Sequence, residues 1–256
     1  MSDSSPAGCA VLCSAGLDSA VLVAHVAQTA PVLPVYVRAG LAWEDGEQAA
    51  LADVLASPAY RTNVQPAVTL DLDMRDVYPG THWAVTGTPP AYDTPDEDVY
   101  IVGRNIVLLS KAAILCAYRK ISRIAIGPLA GNPFPDATPE FFATMGRALT
   151  LGLAHEVTID APFRLWEKSQ VIARGVELGV PLEHTLSCMN PIMTGPAFVH
   201  CGECSKCRER HDAFVDAGIP DPTRYDDRSF VESRSRTIRA GRKPHKGNAE
   251  RRGKIE

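Results

Sequence analysis

The stretch from Cys9 to Val26 restricts what this chain can fold into more than any other. The apolar run Cys9-Ala10-Val11-Leu12-Cys13 is broken by Ser14-Ala15-Gly16-Leu17-Asp18-Ser19 and resumes as Ala20-Val21-Leu22-Val23-Ala24-His25-Val26. A parallel strand covered on both faces is apolar throughout and passes directly into its crossover helix, which is the form seen here. Further strands are predicted over residues 32–37, 67–72, 124–127 and 156–159, with helices over 47–56, 106–117, 141–153 and 168–178. This alternation predicts an α/β fold, a Rossmann-like parallel sheet of about five strands flanked by helices. Residues 78–97 read as irregular and proline-containing, and from about Ser187 cysteines and turns replace the periodic pattern.

The 256 residues, 45% of them hydrophobic, suffice for one sizeable core and a small appendage and exclude disorder of the whole chain. The expected division is an α/β domain over 8–186, a cysteine-bearing subdomain over 187–222 and a basic tail over 226–256. Residues 224–256 hold 11 Lys/Arg against 5 Asp/Glu, so the tail is near +6 and the body near −10. Few apolar residues accompany that charge, and the tail reads as disordered and solubilising. A phosphate-binding arm for nucleic acid is the less favoured reading. No run approaches the roughly 18 to 20 apolar residues of a membrane span, and the N-terminus lacks the features of a secretion signal. A cytoplasmic protein is expected, and there seven cysteines point to metal binding or free thiols rather than disulfides. A homodimer is compatible with the sequence, which does not fix the oligomeric state.

Ser14 to Ser19 sit where the first strand meets the first helix. Backbone N–H groups of such a turn, with the unpaired donors of the following helix, cradle phosphate oxygens, and Gly16 and Ala15 keep side chains out of the way. Ser14 and Ser19 can add hydroxyl donors, and Asp18 can orient the turn or help hold Mg²⁺. The loop fits neither the Walker pattern nor the dinucleotide Gly-x-Gly-x-x-Gly. A turn in which Ser14 or Asp18 only caps the helix would use the same residue types.

Cys188, Cys201, Cys204 and Cys207 are spaced Cys-x12-Cys-x2-Cys-x2-Cys. Two-residue gaps turn successive thiolates toward one ion, and four sulfurs leave no position for water, so a Zn²⁺ held here would be structural. An iron–sulfur cluster would use the same atoms, but nothing else in the sequence asks for electron transfer. Cys9, Cys13 and Cys116 lie in apolar stretches and read as core residues. His200 adjoins the cysteines and could replace one of them, but four sulfurs already suffice.

The loop Ser14–Ser19 resembles the Ser-Gly-Gly-x-Asp-Ser loop of the PP-loop ATP pyrophosphatases, with Ala15 in place of a glycine. With the cysteines it is similar to the 7-cyano-7-deazaguanine synthase family. Arg104-Asn105, Pro135-Asp136, Pro139-Glu140-Phe141 and Ser187-Cys188 carry the likeness over roughly residues 9–222. The resemblance implies an adenine nucleotide alpha hydrolase-like fold in which Ser14, Ala15, Gly16, Leu17, Asp18 and Ser19 bind the pyrophosphate end of ATP with Mg²⁺. It implies that the carboxylate of 7-carboxy-7-deazaguanine is adenylated and converted with ammonia to the nitrile precursor of queuosine. Lys168, Arg104 and Asp18 are the implied catalytic residues, the two cations neutralising phosphate charge.

The segments expected to touch the base depart from the family pattern at Val37-Arg38-Ala39-Gly40-Leu41-Ala42-Trp43-Glu44 and Pro128-Leu129-Ala130-Gly131-Asn132-Pro133-Phe134. Asp136 and Glu140 could face a guanine-like N–H edge or simply cap a helix, and Trp43, Trp83 and Phe134 could stack on a planar ligand. The rival readings are a PP-loop enzyme acting on another carboxylate or on tRNA, and a nucleotide-binding module without catalysis.

Overall fold

The computed structural model describes residues 8–91, 93–195 and 197–229. From residue 230 onward the expected basic tail lies outside the described residues. Five parallel strands form the main sheet: β1 (Cys9–Leu12), β2 (Val32–Arg38), β3 (Val68–Asp71), β4 (Arg123–Ala125) and β5 (Thr158–Asp160), in the order β3-β2-β1-β4-β5. The central β1 is buried at every position, as its unbroken apolar run requires.

Helices α1 (Leu17–Val26), α2 (Glu44–Leu55), α6 (Lys168–Glu177) and α7 (Ser205–Ala217) pack against one face through a cluster that includes Val21, Leu51, Ile172 and Phe214. Helices α4 (Arg104–Arg119) and α5 (Pro139–Leu153) cover the other, with Leu109, Cys116 and Phe142 in the core. Cys9, Cys13 and Cys116 are buried core residues, as expected. The sequence places α5 two residues late: Thr138 Oγ1 accepts from the Phe141 amide at 3.1 Å and Pro139 occupies the first turn, both regular helix starts.

Residues 78–97 hold a short helix, α3 (Trp83–Thr86), and the cysteine region holds a hairpin, β6 (Ile192–Thr194) with β7 (Ala197–Val199), ahead of α7. Apolar periodicity misses α7 because Arg210 and His211 are among the residues it buries. Arg210 is fully buried. Its guanidinium donates to Thr223 Oγ1 at 2.6 Å, Thr185 Oγ1 at 2.8 Å, Ser187 Oγ at 3.1 Å and the Leu182 carbonyl at 2.6 Å. These bonds satisfy a charge that burial would otherwise penalise, and they fasten α7 to the chain entering the cysteines.

Among the described residues no helix is long and apolar enough to cross a membrane.

Candidate functional site

Strand order reverses between β1 and β4, and in open α/β sheets the crevice beyond the strand ends at such a point is where ligands bind. A cavity of about 400 Å³ lies there, lined by Ser14, Gly16 and Asp18 on one side and Arg104, Phe134 and Lys168 on others.

The loop between β1 and α1 is shaped by its own side chains. Ser19 Oγ donates to the Gly16 carbonyl at 3.0 Å and accepts from the Ser14 amide at 3.3 Å, while Ser14 Oγ accepts from the Gly16 amide at 3.4 Å. Ser19 thus donates within the turn, whereas Ser14 Oγ only accepts there, and both residues line the cavity. The first helical backbone bond runs from Ala20 to Gly16, so the amides of Leu17, Asp18 and Ser19 open α1 ahead of any helical acceptor.

Ala15 adopts φ +60. A methyl in this left-handed region costs about 1 kcal/mol, a strain that glycine avoids. The methyl is fully buried in the core, so the departure from the glycine pattern is felt as backbone strain and not as an obstruction of the cradle. The Ala15 carbonyl accepts from the Leu186 amide at 2.9 Å, joining the loop to the segment that leads into the cysteines.

The structure brings Asp18 and Lys168 together and treats the two expected cations differently. Lys168 Nζ donates to Asp18 Oδ2 at 3.0 Å and to Glu209 Oε1 at 2.7 Å, while Lys206 holds Glu209 Oε2 at 2.6 Å. Burial alone would lower the Lys168 ammonium, but Asp18 and Glu209 outweigh it and raise its pKa. Burial alone would raise Glu209, but Lys168 and Lys206 bring it down to about 2. The Arg104 guanidinium makes no hydrogen bond or ion pair among the described residues, and it lies 5.9 Å over the Trp43 ring. Asp18 Oδ1 is buried without a hydrogen-bond partner among the described residues, which leaves one carboxylate oxygen available to a cation such as Mg²⁺.

The aromatic residues pair up around the cavity, Trp43 stacked on Trp83 at 5.6 Å and Phe134 on Tyr100 at 5.1 Å. Asp136 is buried, lines the cavity and accepts from the Asn105 amide at 3.0 Å, while Asn105 Nδ2 donates to the Asp136 carbonyl at 2.9 Å. Asn105 thus ties the first turn of α4 to the turn at Pro135–Ala137. Glu140 is exposed and does not line the cavity.

Sequence reasoning missed Glu47 and Glu209. The acidic run Glu44-Asp45-Gly46-Glu47 looks like a solvated first turn, yet Glu47 is buried with its Oε2 accepting from the Tyr36 hydroxyl at 2.8 Å. Burial drives its carboxyl up to about 7 despite the pull of Arg104.

The sulfurs of Cys188, Cys201, Cys204 and Cys207 all lie within 4.8 Å of one another, and all four residues are buried. Contacts run from 3.4 Å (Cys188–Cys201) to 3.9 Å (Cys201–Cys207), bracketing the roughly 3.8 Å between sulfurs of a tetrahedral zinc thiolate site. The amides of Asn190 and Cys201 donate to Cys188 Sγ at 3.3 Å, and the Glu203 amide to Cys201 Sγ at 3.4 Å, stabilising thiolate charge. The donor set fits zinc. His200 is not part of it: its Nε2 accepts from the Ser187 amide at 3.0 Å.

Gly202 sits at φ +87 in the knuckle, and a Cβ there would meet the Asp227 carbonyl oxygen at 1.7 Å. The Asp226 and Asp227 amides bond to the carbonyls of His200 and Cys201, so residues 224–227 close over the metal site. Gly202→Ala is expected to undock this segment and lower stability by about 2 to 4 kcal/mol, combining left-handed strain with lost hydrogen bonds. Thermal denaturation checks this, and a melting curve matching the wild type would contradict it.

Fold and knuckle together define a Rossmann-like α/β protein whose first strand-to-helix turn faces the switch-point cavity and whose chain then closes on a four-thiolate metal site. The chain belongs to the queuosine biosynthesis protein QueC family, whose profile matches residues 8–218. It is 32% identical over 226 residues to the 7-cyano-7-deazaguanine synthase of Methanopyrus kandleri, covering 84% of this chain and 97% of that protein. The enzymes of the same name from Stenotrophomonas maltophilia and Rhodopirellula baltica are 30% and 33% identical, over 84% and 83% of this chain and 97% and 89% of theirs.

Proposed function

We propose that this protein is an ATP-dependent carbon–nitrogen ligase that converts 7-carboxy-7-deazaguanine and ammonia into 7-cyano-7-deazaguanine. The observation that carries the reading is the small-residue loop Ser14–Ser19 opening α1 at the switch-point cavity, with an unpaired Arg104 guanidinium on the cavity wall. Family membership and the printed name of the relatives supply the substrate.

The chemistry follows from the carboxylate being a poor electrophile. Its attack on the α-phosphorus of ATP expels pyrophosphate and gives an acyl adenylate, from which ammonia displaces AMP to form the amide. The amide oxygen then attacks the α-phosphorus of a second ATP, expelling pyrophosphate as one N–H proton is lost, and departure of AMP with loss of the other N–H proton leaves the nitrile. In this reading residues 8–186 bind nucleotide and base, and residues 187–222 form the knuckle that braces them. The loop amides hold the pyrophosphate end, Asp18 Oδ1 is available to Mg²⁺, and Arg104 and Lys168 offset phosphate charge. The aromatic pairs offer flat walls to a heterocycle, and Asp136 supplies an acceptor there.

The test is incubation with ATP, Mg²⁺, ammonium and 7-carboxy-7-deazaguanine, followed by mass analysis. AMP and nitrile are the expected products. AMP with a different carboxylate and none with this one would keep the activation chemistry and replace the substrate.

A further inference from the structure

The cavity beside the phosphate loop holds a chain of four alternating charges. Lys168 Nζ, from the start of α6, donates to Asp18 Oδ2 at 3.0 Å and to Glu209 Oε1 at 2.7 Å, and Lys206 Nζ donates to Glu209 Oε2 at 2.6 Å. All four residues line the cavity. Lys206 and Glu209 both come from α7, the helix that begins at the knuckle with Cys204 as its N-cap and Cys207 in its first turn.

Lys206 stands where a cation is disfavoured, because the first turn of a helix carries the positive end of its dipole. A lysine and a glutamate spaced i, i+3 stabilise a helix only slightly, and this Glu209 already has Lys168 on its other oxygen. What the position offers is a second ammonium close to the one at the phosphate loop. Five carboxyl residues line the cavity against three cations, Arg104, Lys168 and Lys206. A polyphosphate entering so acidic a space must be met by the cations within reach. Lys168 is clamped between two carboxylates with its side chain 13% exposed, whereas that of Lys206, at 28%, has more room to turn on its flexible stem.

We propose, resting on the nucleotide reading above, that Lys206 is a further phosphate-binding residue, which the metal knuckle carries into the site and Glu209 holds in place until a polyphosphate arrives. Its ammonium then exchanges Glu209 Oε2 for a phosphate oxygen, while Glu209 keeps Lys168 through Oε1. No proton moves and no covalent bond changes. The knuckle thus supplies a ligand contact as well as a brace.

A lysine that only offset the charge of the thiolates, or only stiffened α7, would not touch the nucleotide. Calorimetric titration with a magnesium-saturated α,β-methylene ATP analogue compares the wild type with Lys206→Met and Lys206→Arg at about 50 mM and about 500 mM salt. At low salt Lys206→Met is expected to bind about tenfold more weakly, the ordinary loss of one hydrogen bond to a charged group, and Lys206→Arg to stay within about threefold of the wild type. The gap between Lys206→Met and the wild type should narrow to about threefold or less at high salt, because ions screen a partly exposed contact. Unchanged affinity in Lys206→Met, or a Lys206→Arg protein as weak as Lys206→Met, would overturn the proposal. So would a gap of the same size at both salt levels, which marks a brace and not a charge contact. Should the wild type itself bind no analogue, the nucleotide reading would fall and this assignment with it.

Discussion

Removing the metal from the four-cysteine knuckle, by chelation or by Cys204→Ser, is expected to lower stability by about 4 kcal/mol or more, or roughly 10 °C in Tm. Four buried sulfurs within 4.8 Å of one another can share one cation, and thiolates left without it must protonate and separate. The damage should not stop at the knuckle. Cys188 lies two residues beyond Leu186, whose amide bonds to Ala15 in the phosphate loop, and Cys207 shares α7 with Glu209 and Arg210. Glu209 anchors Lys168 beside Asp18, and Arg210 fastens the chain at residues 182–187. Nucleotide affinity is therefore expected to fall with metal content, and calorimetric binding before and after chelation checks it. A Cys204→Ser protein that melts within about 2 °C of the wild type would show that the thiolates carry no structural load.

Arg104→Met and Lys168→Met should separate catalysis from stability. Each removes a cation facing the proposed phosphate site, so each is expected to lower kcat/KM by about 10²- to 10³-fold. Their melting temperatures should differ. The Arg104 guanidinium makes no hydrogen bond or ion pair among the described residues, and its loss should leave stability within about 1 kcal/mol. Lys168 is largely buried between two carboxylates, and its loss leaves Asp18 facing Glu209 with Lys206 as the remaining cation, at a cost of about 2 to 3 kcal/mol. Steady-state kinetics beside thermal melts decide the matter. An Arg104→Met protein that keeps full activity would remove Arg104 from the site.

The layout of the sheet was legible because β1 and α1 obey one simple rule, apolar throughout where buried on both faces. Cysteine spacing announced the knuckle for an equally local reason, since the gaps themselves aim the thiolates. What stayed hidden depends on contacts far apart in sequence. Nothing near Lys168 announces that Glu209 meets it, and the buried face of α7 is disguised by Arg210. Glu47 escaped notice because an acidic helical first turn is ordinarily solvated, and only the packing of Tyr36 and the loop against α2 buries it. Ala15 was read as a question of bulk, whereas the backbone's positive φ makes it a question of strain. The likeness to a PP-loop named the loop but could not say that Ser19 donates its hydroxyl to the turn itself.

The central claim is that this loop holds the triphosphate so that the bond between α- and β-phosphates breaks. The direct measurement follows the label from γ-labelled ATP during turnover with the carboxylate substrate and ammonia. Label recovered in pyrophosphate, matched by AMP, is the predicted result. Label recovered in orthophosphate, matched by ADP, would contradict it.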